Sequence, residues 1–293
     1  MHTRPTRRTL LSLGAAALGS GILAPIAAAS PEVVAAIAAL EKKLGGRIGV
    51  AALDAGSKER ILHRADERFP LASTFKMLAA AFVLARADRG DEDLERRILF
   101  APDDLVPYSP VTKERTHGQG MSLAELCEAA VVVSDNTAGN LLLSSFGGPA
   151  ALTGFARSLG DDTTRLDRTE PTLNEAAPND PRDTTSPAAM LELTRQLLAD
   201  RALAPHSRER LLGWMRASRT GDARLKAGMP KEWRVGDKTG TGENGTANDV
   251  AIATRPNGVP VLIACYLTGS KANSARLNEA HAEIGRRIAG AWT

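Results

Sequence analysis

The sequence predicts an α+β fold: a sheet of about five, mostly antiparallel strands flanked by the terminal helices, with an all-helical unit inserted between its early and late strands. Three observations carry this. Strand-like runs lie near both ends of the chain, at 47–64 and 233–267. The middle, from Leu71 past Pro205, is dominated by helical periodicity and helix-start residues. With 293 residues, 43% of them hydrophobic, the chain can bury one large core or two joined smaller ones. The expected division is 30–66 with 219–293 as a sheet domain and 67–218 as an all-α domain.

The elements follow in order. Ser30-Pro31-Glu32 supplies a cap, a first-turn proline and an acid that suits the helix dipole, ahead of a periodic run from Val33 to Leu44 and a stop at Gly45-Gly46. Arg47 to Asp54 and Glu59 to Arg64 flank a turn-forming tetrapeptide and predict a hairpin. A helix carrying Ser73 runs to about Arg86, and Ser122-Leu123-Ala124-Glu125 is a capping box opening a helix that ends near Val133. That helix is apolar almost all round, which predicts burial at a domain centre. Pro149, Ser186-Pro187 and Pro205 start three more helices. Three strands then follow, Trp233 to Thr239, Thr246 to Thr254 and Val259 to Leu267, and a long helix from about Asn273 to Trp292 ends the chain.

Residues 1–29 form a separate segment. Arg7-Arg8 precedes a short apolar stretch rich in Gly and Ala that contains Pro25 and ends in Ala27-Ala28-Ala29, which reads as a twin-arginine export signal cut near Ala29. A periplasmic or secreted protein with no stable membrane association after cleavage is expected. Arg4, Arg7 and Arg8 are the leader's only charged side chains, so removing them from the 37 basic residues leaves 34 basic and 34 acidic. The sequence pI near 9.0 therefore gives no support to a nucleic-acid partner. Cys127 lies in an apolar helical pattern and Cys265 in an apolar strand pattern, so two buried free thiols are expected.

Three short motifs stand out. Ser73-Thr74-Phe75-Lys76 puts a hydroxyl and an amine on one helical face, where the amine can help remove the hydroxyl proton. Ser134-Asp135-Asn136 follows the apolar run from Ala129 to Val133, and Lys238-Thr239-Gly240 ends a strand-like run. Each is weak alone, but S-x-x-K, S-D-N and K-T-G in that order are the signature of class A β-lactamases and penicillin-binding proteins. From Ser30 onward the chain resembles a class A serine β-lactamase.

That resemblance implies a site in the cleft between the two domains and hydrolysis of penicillins and cephalosporins through a Ser73 acyl-enzyme, giving β-lactam resistance. It implies no cofactor, no metal and a monomer. Ser73 would be the nucleophile, with Lys76, Ser134, Glu170 and Lys238 moving protons, and Lys76 or Glu170 acting as the acylation base. The backbone N–H groups of Ser73 and Thr241 would form the oxyanion hole. Asn136, Asn174, Thr239, Gly240, Thr241 and Tyr108 would border the substrate. Arg224 would supply the guanidinium that many relatives carry where this chain has Ala247. Residues 168–183 contain three prolines and no clear period, as a compact Ω-loop does. In the family its ends, here Arg168 and Asp183, pair as ions, and its Glu-Pro bond, here Glu170-Pro171, is commonly cis. Glu170 and Asn174 separate the hydrolase from two alternatives on the same scaffold, a D-Ala-D-Ala peptidase and a non-hydrolytic β-lactam sensor. Some carbapenem-hydrolysing relatives carry a disulfide where this chain has Ala72 and Gly242.

Other readings fail on context. Gly240 to Gly245 matches G-x-G-x-x-G, but a strand and not a helix follows, so no dinucleotide site is expected. The five histidines show no close ligand spacing, which argues against a zinc hydrolase.

Overall fold

The structure, a computed structural model, describes residues 30–293; the leader at 1–29, with its expected export signal, lies outside the described residues. Helix α1 (Pro31–Leu44) carries Glu32 in its first turn and Lys42 and Lys43 in its last. The Ser30 hydroxyl makes no capping bond, contrary to the expected cap; only its carbonyl closes the turn, accepting from Val33 N at 3.0 Å. Strands β1 (Arg47–Asp54) and β2 (Arg60–His63) form the expected hairpin, with β2 one residue shorter at each end. Then come β3 (Phe69–Pro70), a 3₁₀ turn at Ala72–Thr74 and α2 (Phe75–Asp88). The helical middle continues with β4 (Arg97–Ile98), β5 (Met121–Ser122), α3 (Leu123–Val132), α4 (Asn136–Ser145), α5 (Pro149–Ser158), β6 (Thr184–Thr185), α6 (Pro187–Leu198), α7 (Pro205–Arg216) and α8 (Leu225–Gly228). Strands β7 (Arg234–Gly242), β8 (Thr246–Thr254) and β9 (Pro260–Thr268) and helix α9 (Ser274–Ala291) complete the chain.

The main sheet has the order β2-β1-β9-β8-β7, and every neighbouring pair is antiparallel. Pairing of β1 with β9 joins the two ends of the chain. Alternate residues of each strand face opposite sides. On one side Ala51, Leu53, Val250, Ile252, Leu262, Ala264 and Tyr266 pack with residues of α2 to α7. On the other, Val50, Ala52, Ala251, Ile263 and Cys265 pack with residues of α1, α8 and α9. Both sides of β1 and β8 are covered, so every residue from Ile48 to Asp54 and from Thr246 to Thr254 is buried. Cys127 and Cys265 are buried free thiols.

Three differences from the sequence reading position the site. Helix α2 is as enclosed as α3, which the sequence reading singled out for burial: Phe75 to Ala81 and Val83 to Ala85 are all buried. Strand β7 continues through Lys238-Thr239-Gly240 to Gly242, leaving Glu243 to Gly245 as the turn. Helix α4 was not foreseen, because Asn136-Thr137-Ala138-Gly139-Asn140 has weak helix propensity. It forms because the Asp135 carboxylate caps it, accepting from Ala138 N at 2.8 Å and also from Val111 N and Thr112 N. Gly139 is required there, since a Cβ would lie 2.9 Å from Lys76 Cε.

Candidate active site

The turn before α2 is built around a strained alanine. Ala72 has φ +42°, and the Thr74 hydroxyl donates to Leu71 O at 2.7 Å. Ser73 therefore sits in the 3₁₀ turn and not at the start of the α-helix, but it keeps its expected spacing from Lys76, whose Nζ is 3.0 Å from Ser73 Oγ. Lys76 is fully buried and also donates to Ser134 O (2.8 Å) and Asn136 Oδ1 (2.6 Å). Ser134, held at φ +61° just past the end of α3, presents Oγ 3.0 Å from Lys238 Nζ and 3.4 Å from Lys76 Nζ.

The carboxylate comes from the 168–183 loop. Arg168 Nε lies 2.6 Å from Asp183 Oδ2, the ion pair implied by the resemblance, and Asp183 Oδ1 also accepts from Asp167 N and Arg168 N. The Glu170–Pro171 bond is cis. Asn140 clamps the Glu170 main chain from both sides, accepting from its N–H and donating to its carbonyl, each at 2.9 Å. Ser73 Oγ donates to Glu170 Oε1 at 3.1 Å, Lys76 Nζ is 3.0 Å from that oxygen, and Asn174 Nδ2 donates to Glu170 Oε2.

Burial sets the electrostatics. It pushes the Lys76 pKa down, against the Glu170 charge that holds its proton. Burial and then the neighbouring Lys76 charge push Lys238 down to about 7. Arg224 is likewise lowered by burial. Its guanidinium makes four hydrogen bonds: Nη1 with Gly240 O (2.9 Å) and Asn248 O (2.6 Å), Nε with Asn278 Oδ1 (3.0 Å), Nη2 with Thr241 Oγ1 (2.7 Å).

The structure brings Ser73, Lys76, Ser134, Glu170 and Lys238 into one connected hydrogen-bond network. A cleft of about 540 Å³ opens beside it, lined by Asn136, Asn174, Thr239, Gly240, Thr241, Arg224 and the exposed Tyr108 as well as by Ser73 and Ser134. A larger hollow of about 960 Å³ near Ala199 to Pro205 contains none of these residues. Asn136 is more committed than the sequence suggested, since Nδ2 already donates to Pro107 O at 2.8 Å. Five contributors were missed: Asn140, Arg219 and Thr220, which also line the cleft (Thr220 lies 2.6 Å from the Thr239 hydroxyl), Asn248 and Asn278. Only Asn140 had a sequence signal, one helical turn after Asn136.

Covalent catalysis by serine needs a base within reach of the hydroxyl, and here an amine and a carboxylate both qualify. With the sheet-and-helix frame around it, that equipment defines the class of serine hydrolases. The chain belongs to the beta-lactamase enzyme family, whose profile matches residues 32–292. It is 44% identical over 276 residues to beta-lactamase Toho-1 of Escherichia coli, covering 94% of each chain. It is 45% identical over 278 residues to beta-lactamase CTX-M-4 of Salmonella typhimurium, covering 94% of this chain and 95% of that one. The solved structure of an ancestral (GNCA) class A beta-lactamase superposes with a TM-score of 0.88 at 56% identity, over 89% of this chain and all of the other.

Proposed function

We propose that this class A serine β-lactamase opens the lactam amide of penicillins and cephalosporins through an ester on Ser73 and then hydrolyses that ester. The observation that carries the reading is the position of Ser73 Oγ, 3.0 Å from Lys76 Nζ and 3.1 Å from Glu170 Oε1. The hydroxyl proton leaves to one of these two groups as Oγ bonds to the lactam carbonyl carbon. The N–H groups of Ser73 and Thr241 stabilise the resulting oxyanion, one such donor typically being worth about 10²–10³ in rate. The C–N bond breaks as Ser134 Oγ, bonded to Lys238, protonates the leaving nitrogen and is itself reprotonated, through Lys76 or Lys238, by the proton taken from Ser73. Glu170, oriented by Asn140 and Asn174, then takes a proton from the water that cleaves the ester, and Ser73 regains its own. Lys238, Thr239, Thr241 and Asn136 hold the substrate carboxylate and side-chain amide, with Tyr108 at the rim. Arg224 acts chiefly by fixing Thr241 and the carbonyls around it.

Purified protein should hydrolyse a penicillin and a cephalosporin, and Ser73→Ala should hydrolyse neither. Parental turnover in Ser73→Ala would contradict the reading. Arg7-Arg8 and the weakly apolar segment after them support a further part of it: export by the twin-arginine route and action in the periplasm or outside the cell. Replacing both arginines by lysine should leave the precursor inside the cell; normal export of that variant would count against the route.

A further inference from the structure

Asn248 lies near the start of β8, fully buried, and its side chain reaches the turn that carries the nucleophile. Nδ2 donates to the carbonyls of Pro70 (2.8 Å) and Leu71 (3.1 Å), while Oδ1 has no partner among the described residues. The opposite amide orientation would aim Oδ1 at two carbonyl oxygens, so the hydrogen bonds fix the assignment.

Asn248 is also the middle of a row across three strands. It is in register with Gly240 on β7 and Tyr266 on β9. All three press on the same turn. A Cβ on Gly240 would meet Leu71 O at 3.0 Å and Ser73 N at 3.2 Å, so the glycine lets β7 approach closely. Tyr266 OH is 3.2 Å from Thr74 Oγ1, which itself donates to Leu71 O. The Asn248 main chain ties this row to the cleft, because its carbonyl shares Arg224 Nη1 with the carbonyl of Gly240, the residue before Thr241.

We propose that Asn248 is a positioning residue for the oxyanion hole. By gripping the two carbonyls that precede Ala72, it holds that alanine at its positive φ and so sets where the Ser73 N–H points relative to Thr241 on β7. A non-glycine residue in that region persists only when its surroundings over-determine it. The role rests on the reading of Ser73 as the acylated nucleophile. A loosened turn would cost acylation rate, because displacements of about 1 Å can cost about 10²-fold.

The test uses the Glu170→Gln protein, in which the ester should accumulate, with benzylpenicillin as the probe. Difference infrared spectra report the ester carbonyl stretch, which falls in wavenumber as the hydrogen bonds to that oxygen strengthen. Stopped-flow measurement gives the acylation rate. Asn248→Ala, Asn248→Ser and Asn248→Thr are compared with the Asn248 parent, using whichever variants unfold cooperatively. The expected result is a carbonyl band shifted to higher wavenumber and acylation slowed about 10- to 100-fold. A variant with a lower melting temperature but the parental band and parental acylation rate makes Asn248 a packing residue only and overturns the proposal. Absence of an ester band in the Asn248 parent would instead overturn the acyl-enzyme reading, and this role with it.

Discussion

Strand β7 separates two buried clusters of ionisable groups that solve the same electrostatic problem differently. On the side of the helical core, Lys76, Glu170 and Lys238 lie within one network with Ser73 and Ser134, and a cleft opens beside them. On the other side, Asp237 and Asp249 lie near Arg224, and His281 is enclosed under α9. Here partners are scarcer: Asp249 Oδ1 and His281 Nδ1 have none among the described residues, and Asp237 Oδ2 accepts from Ser218 Oγ at 3.1 Å. Burial pushes the Asp237 and Asp249 carboxyls up and pushes His281 down to about 3. The difference teaches where each cost of burial is met. Burial lowers Lys76 and Lys238 in the first cluster too, but its groups are hydrogen-bonded to one another where substrate can reach, whereas the second holds raised carboxyls and a lowered histidine with fewer partners.

If that contrast is right, changes in the first cluster should act on rate, and changes in the second on stability. The largest expected effect is Lys76→Ala, which removes a group bonded to the nucleophile and should lower kcat/KM by about 10²–10⁴ in steady-state assays. Near-parental kinetics would break the comparison. Arg224 spans both clusters, so Arg224→Ala should show both signatures. Losing the charge-assisted bond to Thr241 should cost about 1.5–3 kcal/mol, seen more in KM than in kcat. The midpoint of chemical denaturation should fall as well, because Asp249 loses a nearby buried cation. A change in neither would mean that the hydrogen bonds of Arg224 support neither substrate binding nor the fold.

The smallest effect sharpens the closed cluster. A histidine held below its ordinary pKa of 6.5 is neutral in the folded protein, whereas the unfolded chain binds a proton as pH falls. Its contribution to stability is therefore complete above about pH 6.5 and is lost as pH drops toward 3. Raised carboxyls have the opposite sign, their contribution being present at low pH and lost as pH rises through the range between their unfolded and folded values. The carboxyl contributions are common to parent and variant, so between pH 7 and pH 5 the parent should lose about 2 kcal/mol more than His281→Asn in denaturant titrations. Parallel losses would mean that His281 is charged or exposed in the folded state.

The sequence was most informative where one local rule decides the outcome. Proline and capping signals marked the starts of α1, α3, α5, α6 and α7, and strand-like runs bounded by turn residues marked the strands of the sheet. The spacing of Ser73 and Lys76 was legible because a helical turn imposes it. What escaped depends on long-range contact. Helix α4 is made by the Asp135 cap and by the fit of Gly139 against Lys76, and neither appears in local propensity. Asn248 hydrogen-bonds to residues 177 and 178 positions away, so no window of sequence could reveal its partners. Arg224 was found through the resemblance, but its four hydrogen bonds required the fold.

The central claim is that Ser73 is acylated and that Glu170 then drives release of the product. Glu170→Gln retains the shape of the side chain and removes its basicity, so intact-protein mass spectrometry after mixing with a penicillin tests the claim directly. The account predicts one covalent adduct per Glu170→Gln molecule, no adduct when Ser73→Ala is added, and turnover without a persistent adduct in the parent. A Glu170→Gln protein that turns over at the parental rate, or a parent that stays acylated for hours, would contradict it.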